Sequence, residues 1–346
     1  MIRNLYRPLL VAGLFTLAAC SGGSLNSSTP GSQPVTPQSA GQAQTRTTLA
    51  DTAKPMPKPK PDGQIAYNSI PSQLAPIPSQ GFECCQVDEF GDGFNLKDGD
   101  VLDAVSFVMD SWGCETGDGN TSTGPNACHT TPGSTFNAQI TLHVYALCAS
   151  TSCPGGGPPN SHVGALLATQ TKTFAIPYRP SADPTRCPSD GTFYSDVPIM
   201  GEGHLTNPHC THGLPNTIVF DAIVAQAGAP KNLPRQVIST VQYNTSNGGY
   251  SPTGTQCTTR PSDSCGIDSL NVGAEGRGAP AYDLHGAFIT YSAAGAGNYC
   301  DGGSGGSGYL RLDTAKSDCW GPQTGFPDGL HPQIQVTVYD KTDETE

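Results

Sequence analysis

Basic residues are scarce in this chain. Lys and Arg number 17 against 29 Asp and Glu, a formal net charge of −12 over 346 residues. A nucleic-acid binder must neutralise phosphates with clustered basic side chains, so this balance excludes that class of partner. It also excludes a polybasic grip on anionic lipid. Aromatic residues make up only 7% and tryptophan occurs twice, which is sparse for a surface devoted to stacking on sugar rings. No apolar run reaches the ~20 residues a membrane-crossing helix needs. No heptad or 3.6-residue apolar stripe persists, so amphipathic helices are not expected. No internal repeat and no second break in composition divides the chain.

Catalytic patterns are missing as well. Gly302-Gly-Ser-Gly-Gly306 formally reads G-x-S-x-G. That motif works only at a sharp strand-to-helix elbow. Ser304 instead lies in a Gly- and Ser-rich run directly after Asp301, so it is not a credible nucleophile. Acidic residues are plentiful, but no framing pattern picks out a carboxylate pair for glycosidic chemistry.

What the chain does have is glycine (42), proline (31) and cysteine (13). The N-terminus combines Arg3 and Arg7, an apolar stretch over Leu9–Ala19 and the exit Leu17-Ala18-Ala19-Cys20. A basic start, a short apolar middle and small residues at the exit describe a secretory signal. Cysteine at the exit resembles the bacterial lipoprotein pattern. The resemblance implies that Cys20 is lipidated on sulfur, that the chain is cut before it, and that the new amino group is acylated. Several acyl chains at ~0.8 kcal/mol per buried CH₂ anchor firmly. Ser21 follows the cysteine. In a two-membrane envelope this resembles the pattern sorted to the outer membrane; otherwise the outer face of the cell membrane is implied. An ordinary cut after Ala19 is the alternative, and it leaves thirteen cysteines to be partnered rather than twelve.

Those twelve are Cys84, Cys85, Cys114, Cys128, Cys148, Cys153, Cys187, Cys210, Cys257, Cys265, Cys300 and Cys319. An even number in an oxidising compartment reads as a disulfide framework. Sequential pairing gives short loops: Cys114–Cys128, Cys148–Cys153, Cys187–Cys210, Cys257–Cys265 and Cys300–Cys319. Closing a loop of about 15 residues is worth roughly 3 kcal/mol in the chain-entropy model. Cys84 and Cys85 are left over. They either bridge each other or split to distant partners.

The organisation follows. Residues 1–19 read as a signal, 20–80 as a disordered Ser/Thr/Pro-rich linker, 81–340 as one globular domain and 341–346 as an acidic tail. Alternating proline over Lys54–Pro61 favours an extended spacer of ~3.1 Å per residue. In the globular part, Ala138–Ala146 alternates with Ile140, Leu142 and Val144 inward and Thr141, His143 and Tyr145 outward. Val101–Met109 alternates too, with Asp103 interrupting. Shorter runs lie at Ala165–Ala168, Thr171–Ile176, Thr217–Ala222, Gln236–Tyr243, Ser269–Val272, Ala287–Tyr291, Tyr309–Leu312 and Ile334–Val338. Many short strands between turn-forming residues predict an all-β fold, a β-sandwich or jelly roll with long disulfide-braced loops.

Five segments carry a further likeness: Gln86–Asp92, Ser111-Trp-Gly-Cys114, Ile176–Cys187, Tyr243–Ser246 with Tyr250 and Pro252, and Ser269–Gly273. Together they resemble an uncharacterised family of secreted bacterial jelly-roll-like proteins. The resemblance implies export and fold, and it transfers no catalytic residue.

Three groups of candidate site residues remain. Asp88, Glu89 and Asp92, with Asp98, Asp100 and Asp103 nearby, offer hard oxygen ligands suited to a structural calcium. Phe90 stands where an EF-hand needs an acid, and acidic turns flanking a strand are the plainer reading. His204, His209, Cys210 and His212 offer zinc-type ligands, but their spacing matches no standard zinc pattern. Trp112, Tyr250 and Trp320 sit in turn-rich segments and are candidates for stacking on a sugar; packing against disulfides competes with that role. Two function classes follow. One is a membrane-anchored extracytoplasmic lipoprotein whose non-catalytic β-sandwich binds glycan or serves in envelope structure. The other is a secreted polysaccharide hydrolase. The lack of a compact catalytic constellation favours the first.

Overall fold

The computed structural model describes residues 63–72, 74, 78–82, 86–96, 100–117, 119, 121–149, 161–188, 191–198, 209–230, 232–243, 269–274, 283–299, 301–313 and 331–339. Within them the fold is all-β. In chain order the strands are β1 (Gln64–Asn68), β2 (Ser79–Gly81), β3 (Val87–Asn95), β4 (Val101–Ser111), β5 (Thr135–Leu147), β6 (Val163–Pro177), β7 (Phe193–Tyr194), β8 (Cys210–Thr211), β9 (Leu214–Asp221), β10 (Gln236–Tyr243), β11 (Leu270–Gly273), β12 (Asp283–Tyr291), β13 (Arg311–Leu312) and β14 (Ile334–Tyr339). A 3₁₀ turn covers Ala293–Asn298.

Two antiparallel sheets of six strands face each other. In the first, β4 pairs with β9 along one edge and with β14 and β11 along the other; β1 extends β14 and β2 extends β11. The second runs β13-β12-β3-β10-β5-β6. The chain changes sheet at most steps; within the two large sheets only β1–β2, β5–β6 and β12–β13 follow one another, and β7–β8 form a separate two-stranded ribbon. That is a sandwich built by crossovers, as the short-strand pattern predicts.

Alternation explains the core. Val105, Phe107 and Met109 of β4 and Ile140, Leu142 and Val144 of β5 are all fully buried. They belong to one apolar cluster that draws on both sheets. Burying a Leu, Ile or Phe contributes ~1.5–3 kcal/mol. The interruption at Asp103 is a bulge: Thr337 pairs with Ala104, but Val338 pairs with Leu102. The extra residue returns Leu102 to the inner face, where it joins the core. At one side the sheets close through β6 and β9. Lys172 Nζ donates to the Val219 carbonyl at 3.0 Å and meets Asp221 at 2.6 Å, while Phe174 packs edge-to-face on Phe220.

The structure departs from the sequence reading in three places. The stretch expected as linker, 20–80, ends in folded chain: β1 pairs with β14 and β2 with β11. The runs Ala165–Ala168 and Thr171–Ile176 are one continuous strand, β6. The acidic segment Asp88–Asp92, expected as turns, lies inside β3. Three acids and two glycines give β3 a poor intrinsic propensity. Pairing with β10 on one side and β12 on the other overrides it.

Candidate functional site

Building outward from β3 gives the most organised polar surface. Phe90, Asp92 and Phe94 are buried, and Glu89, Gly91 and Gly93 alternate with them on the outer face of the second sheet. Gly91 pairs with Thr240 of β10, and Thr240 pairs with His143 of β5. Residues two apart on a strand share a face. Glu89 therefore leans along β3 across Gly91 and reaches its neighbours' row. A Cβ at residue 91 would meet the Ser239 carbonyl oxygen at 2.1 Å and Thr240 Cγ2 at 2.4 Å, so only glycine leaves this trough open.

Three donors converge on one oxygen of Glu89. His143 Nδ1 lies 2.9 Å from Oε1, the Tyr145 hydroxyl donates to Oε1 at 3.1 Å, and the Thr240 hydroxyl donates to it as well. With a carboxylate opposite, Nδ1 of His143 carries the proton and donates. Burial, and then the charge of Glu89, pushes the Tyr145 phenol well above its ordinary value, so it remains a donor at neutral pH. The second oxygen, Oε2, makes no hydrogen bond among the described residues, and the Glu89 side chain is 12% exposed. The result is a fixed carboxylate with one half committed and one half available. Around it the same face presents exposed Gln139, Thr169, Thr171, Thr173 and Gln242. Thr141 and Thr171 hydrogen-bond across the β5–β6 pair at 2.8 Å.

A second polar cluster sits on the outer face of the first sheet. Asp110 is 1% exposed, and its Oδ2 accepts from Trp112 Nε1 at 2.7 Å. Burial pushes its carboxyl up to about 6, against hydrogen bonds from Trp112 and Ser79 that pull it down. Trp112 stacks on His212 with centroids 5.3 Å apart and packs on the Cys114–Cys128 disulfide. Fully buried Arg179 braces the group: it donates to His212 Nδ1 at 3.1 Å, to the Gly191 carbonyl at 2.6 Å and to Cys128 Sγ at 3.2 Å. Burial, then the Arg179 charge, drives the His212 imidazole down to about 4. His212 also bonds the Gly119 backbone. Neutral, and engaged at Nδ1 and at the Gly119 backbone, it serves as a packed support rather than a proton carrier.

The sequence candidates are placed as follows. The calcium set is split: Glu89 lies on the outer face, Asp92 is fully buried between the sheets, and Asp88 is exposed. Asp92 accepts from Tyr67 and from the Gly93 backbone, with His331 3.4 Å away. Alternation along β3 puts Glu89 and Asp92 on opposite faces. Among the described residues no three His, Cys, Asp or Glu side chains form a metal-holding group. His209 and His212 part company, since His209 bonds the Ser195 carbonyl and stacks on Tyr194. Trp112 is held by Asp110 and His212 instead of standing clear as a sugar platform. Ser304 lies in an exposed turn. Cys20, Cys84, Cys85, Cys153, Cys257, Cys265, Cys300, Cys319, His204, Tyr250 and Trp320 lie outside the described residues. Of the expected bridges, Cys114–Cys128 and Cys187–Cys210 are formed, and Cys148 is disulfide-bonded.

Sequence reasoning placed His143 and Tyr145 outward but did not join them to Glu89, and it passed over Asp110 and Arg179. Those groupings span 54 and 51 positions in the chain, and no local pattern signals them. No protein-family model matches the chain, and neither the curated proteins nor the solved structures contain a match.

Proposed function

We propose that this chain is an extracytoplasmic lipoprotein anchored through Cys20, whose β-sandwich binds glycan on the outer face of the second sheet. The observation that carries the binding role is the Glu89 carboxylate, fixed through Oε1 by His143, Tyr145 and Thr240 while Oε2 has no partner among the described residues. A sugar hydroxyl donating to an ionised carboxylate makes one of the stronger hydrogen bonds. Holding that carboxylate rigid in advance removes the entropy of ordering it on binding. The surrounding threonine hydroxyls and Gln242 amide supply further donors and acceptors. The formed disulfides support an oxidising exterior as the working compartment.

The test uses the full chain with Cys20→Ala on a glycan array, with hydrolysis assays on the same polymers. Binding is expected, without release of reducing sugar. Glu89→Gln removes a charge-assisted bond of about 1.5–3 kcal/mol, so affinity is expected to fall at least about tenfold. Absence of any glycan bound, or binding unchanged by Glu89→Gln, refutes the site. Release of sugar replaces binding with the hydrolase reading.

A further inference from the structure

A cleft of about 370 Å³ opens at the end of the sandwich where β4 begins and β14 finishes. Its floor is aliphatic: Leu102, Leu167, Ile223 and Leu233 all belong to the core. At its mouth Val224 is 76% exposed, the most exposed large apolar side chain among the described residues. The β9–β10 connection that forms one wall is tied down. Gln226 N–H donates to the Leu167 carbonyl at 2.7 Å, and Leu233 N–H donates to the Asp100 carbonyl at 2.9 Å. The cleft is thus preformed, and its volume falls in the range of small-molecule sites.

Its lining carries no charge among the described residues. An ionised ligand would lose hydration there without a counter-charge. The single amide in the lining belongs to Asn232, whose Oδ1 is buried without a partner. At ~30 Å³ per small group, the volume share of one water, the cleft holds about a dozen methylene-sized groups. That suits a neutral aliphatic chain.

The chain's own layout supplies such an occupant. Tyr339, in the lining, pairs with Val101, and the next residue back, Val338, pairs with Gln64 at the start of β1. The segment that begins at Cys20 therefore joins the fold beside this cleft. At ~3.3–3.6 Å per residue its length far exceeds the distance to be covered. Building on the lipoprotein reading, we infer that the cleft receives an acyl chain of the anchor at Cys20. Occupancy withdraws one chain from the bilayer and loosens the hold on the membrane.

Mass spectrometry of the mature N-terminus comes first; a peptide without acyl groups there defeats the anchor reading itself. The full chain with Cys20→Ala is then titrated with glycerol monolaurate. One saturable site is expected, with affinity at least tenfold weaker in acylated wild-type protein, whose own chain competes. Ala225→Trp, at an exposed position on the rim, should also weaken binding at least tenfold without unfolding the protein. No binding by Cys20→Ala, equal binding after Ala225→Trp, or equal binding by acylated protein overturns the inference while leaving the anchor standing.

Discussion

Asp110 and His212 make opposite contributions to stability across one pH window, and that opposition can be measured. Burial raises the Asp110 carboxyl from 3.8 to about 6. A carboxyl raised in the folded state stabilises the fold when protonated, below pH 3.8. That stability is lost as pH rises through 6. At 1.36 kcal/mol per pKa step the loss is about 3 kcal/mol by pH 7. His212 is lowered from 6.5 to about 4. Its contribution is present above pH 6.5 and is lost as pH falls through 4, again by about 3 kcal/mol. Between pH 4 and 6.5 the two slopes nearly cancel. Asp110→Asn keeps an acceptor for Trp112 and removes the buried charge. It should stabilise the protein by up to about 3 kcal/mol at pH 7.5 and by almost nothing at pH 4. With the His212 slope uncovered, the variant should lose stability steadily on acidification. His212→Gln should do the reverse and gain stability as pH falls from 7 to 4. His162, also lowered by burial and then by Arg311, adds the same acid-side loss to each protein. Urea unfolding at half-unit pH intervals reads all three curves. Parallel curves for wild type and Asp110→Asn between pH 4 and 7.5 would falsify the buried-carboxyl assignment.

Two more perturbations follow from particular contacts. A Cβ at Gly213 would sit 2.0 Å from Asp110 Oδ2 and 2.5 Å from its Cγ, and Asp110 is held by Trp112. Gly213→Ala should therefore cost ~1–3 kcal/mol in chemical denaturation, as overpacking does. Gly297→Ala, where a Cβ meets open space, should cost little, and equal losses at the two positions would contradict the close approach. Cys20→Ala should move the protein from the membrane fraction to the soluble or culture fraction; unchanged retention on fractionation would remove the anchor.

Much of the fold was legible in the order of residues. Ile140, Leu142 and Val144 alternate with Thr141, His143 and Tyr145 because side chains on a strand point to opposite faces, and the sheet buries the first set. Asp103 marked its own bulge by breaking the alternation. Strand β3 escaped because its acids and glycines are poor strand formers, and only two neighbouring strands hold it in place. Strands β1 and β2 escaped because they pair with β14 and β11, whose partners lie far along the chain.

The order of residues alone carried the all-β class and the alternating core strands, and it offered sequential cysteine pairing, of which Cys114–Cys128 and Cys187–Cys210 are formed. Each depends on residues near one another in the chain: a period of two, or two thiols closing a short loop. It took the folded chain to bring Glu89 to His143, Tyr145 and Thr240, and to bury Asp110 beneath Trp112 beside Gly213. Strand register sets which distant side chains share a face, and a covering loop sets which of them lose water. Neither is written in any stretch short enough to read alone.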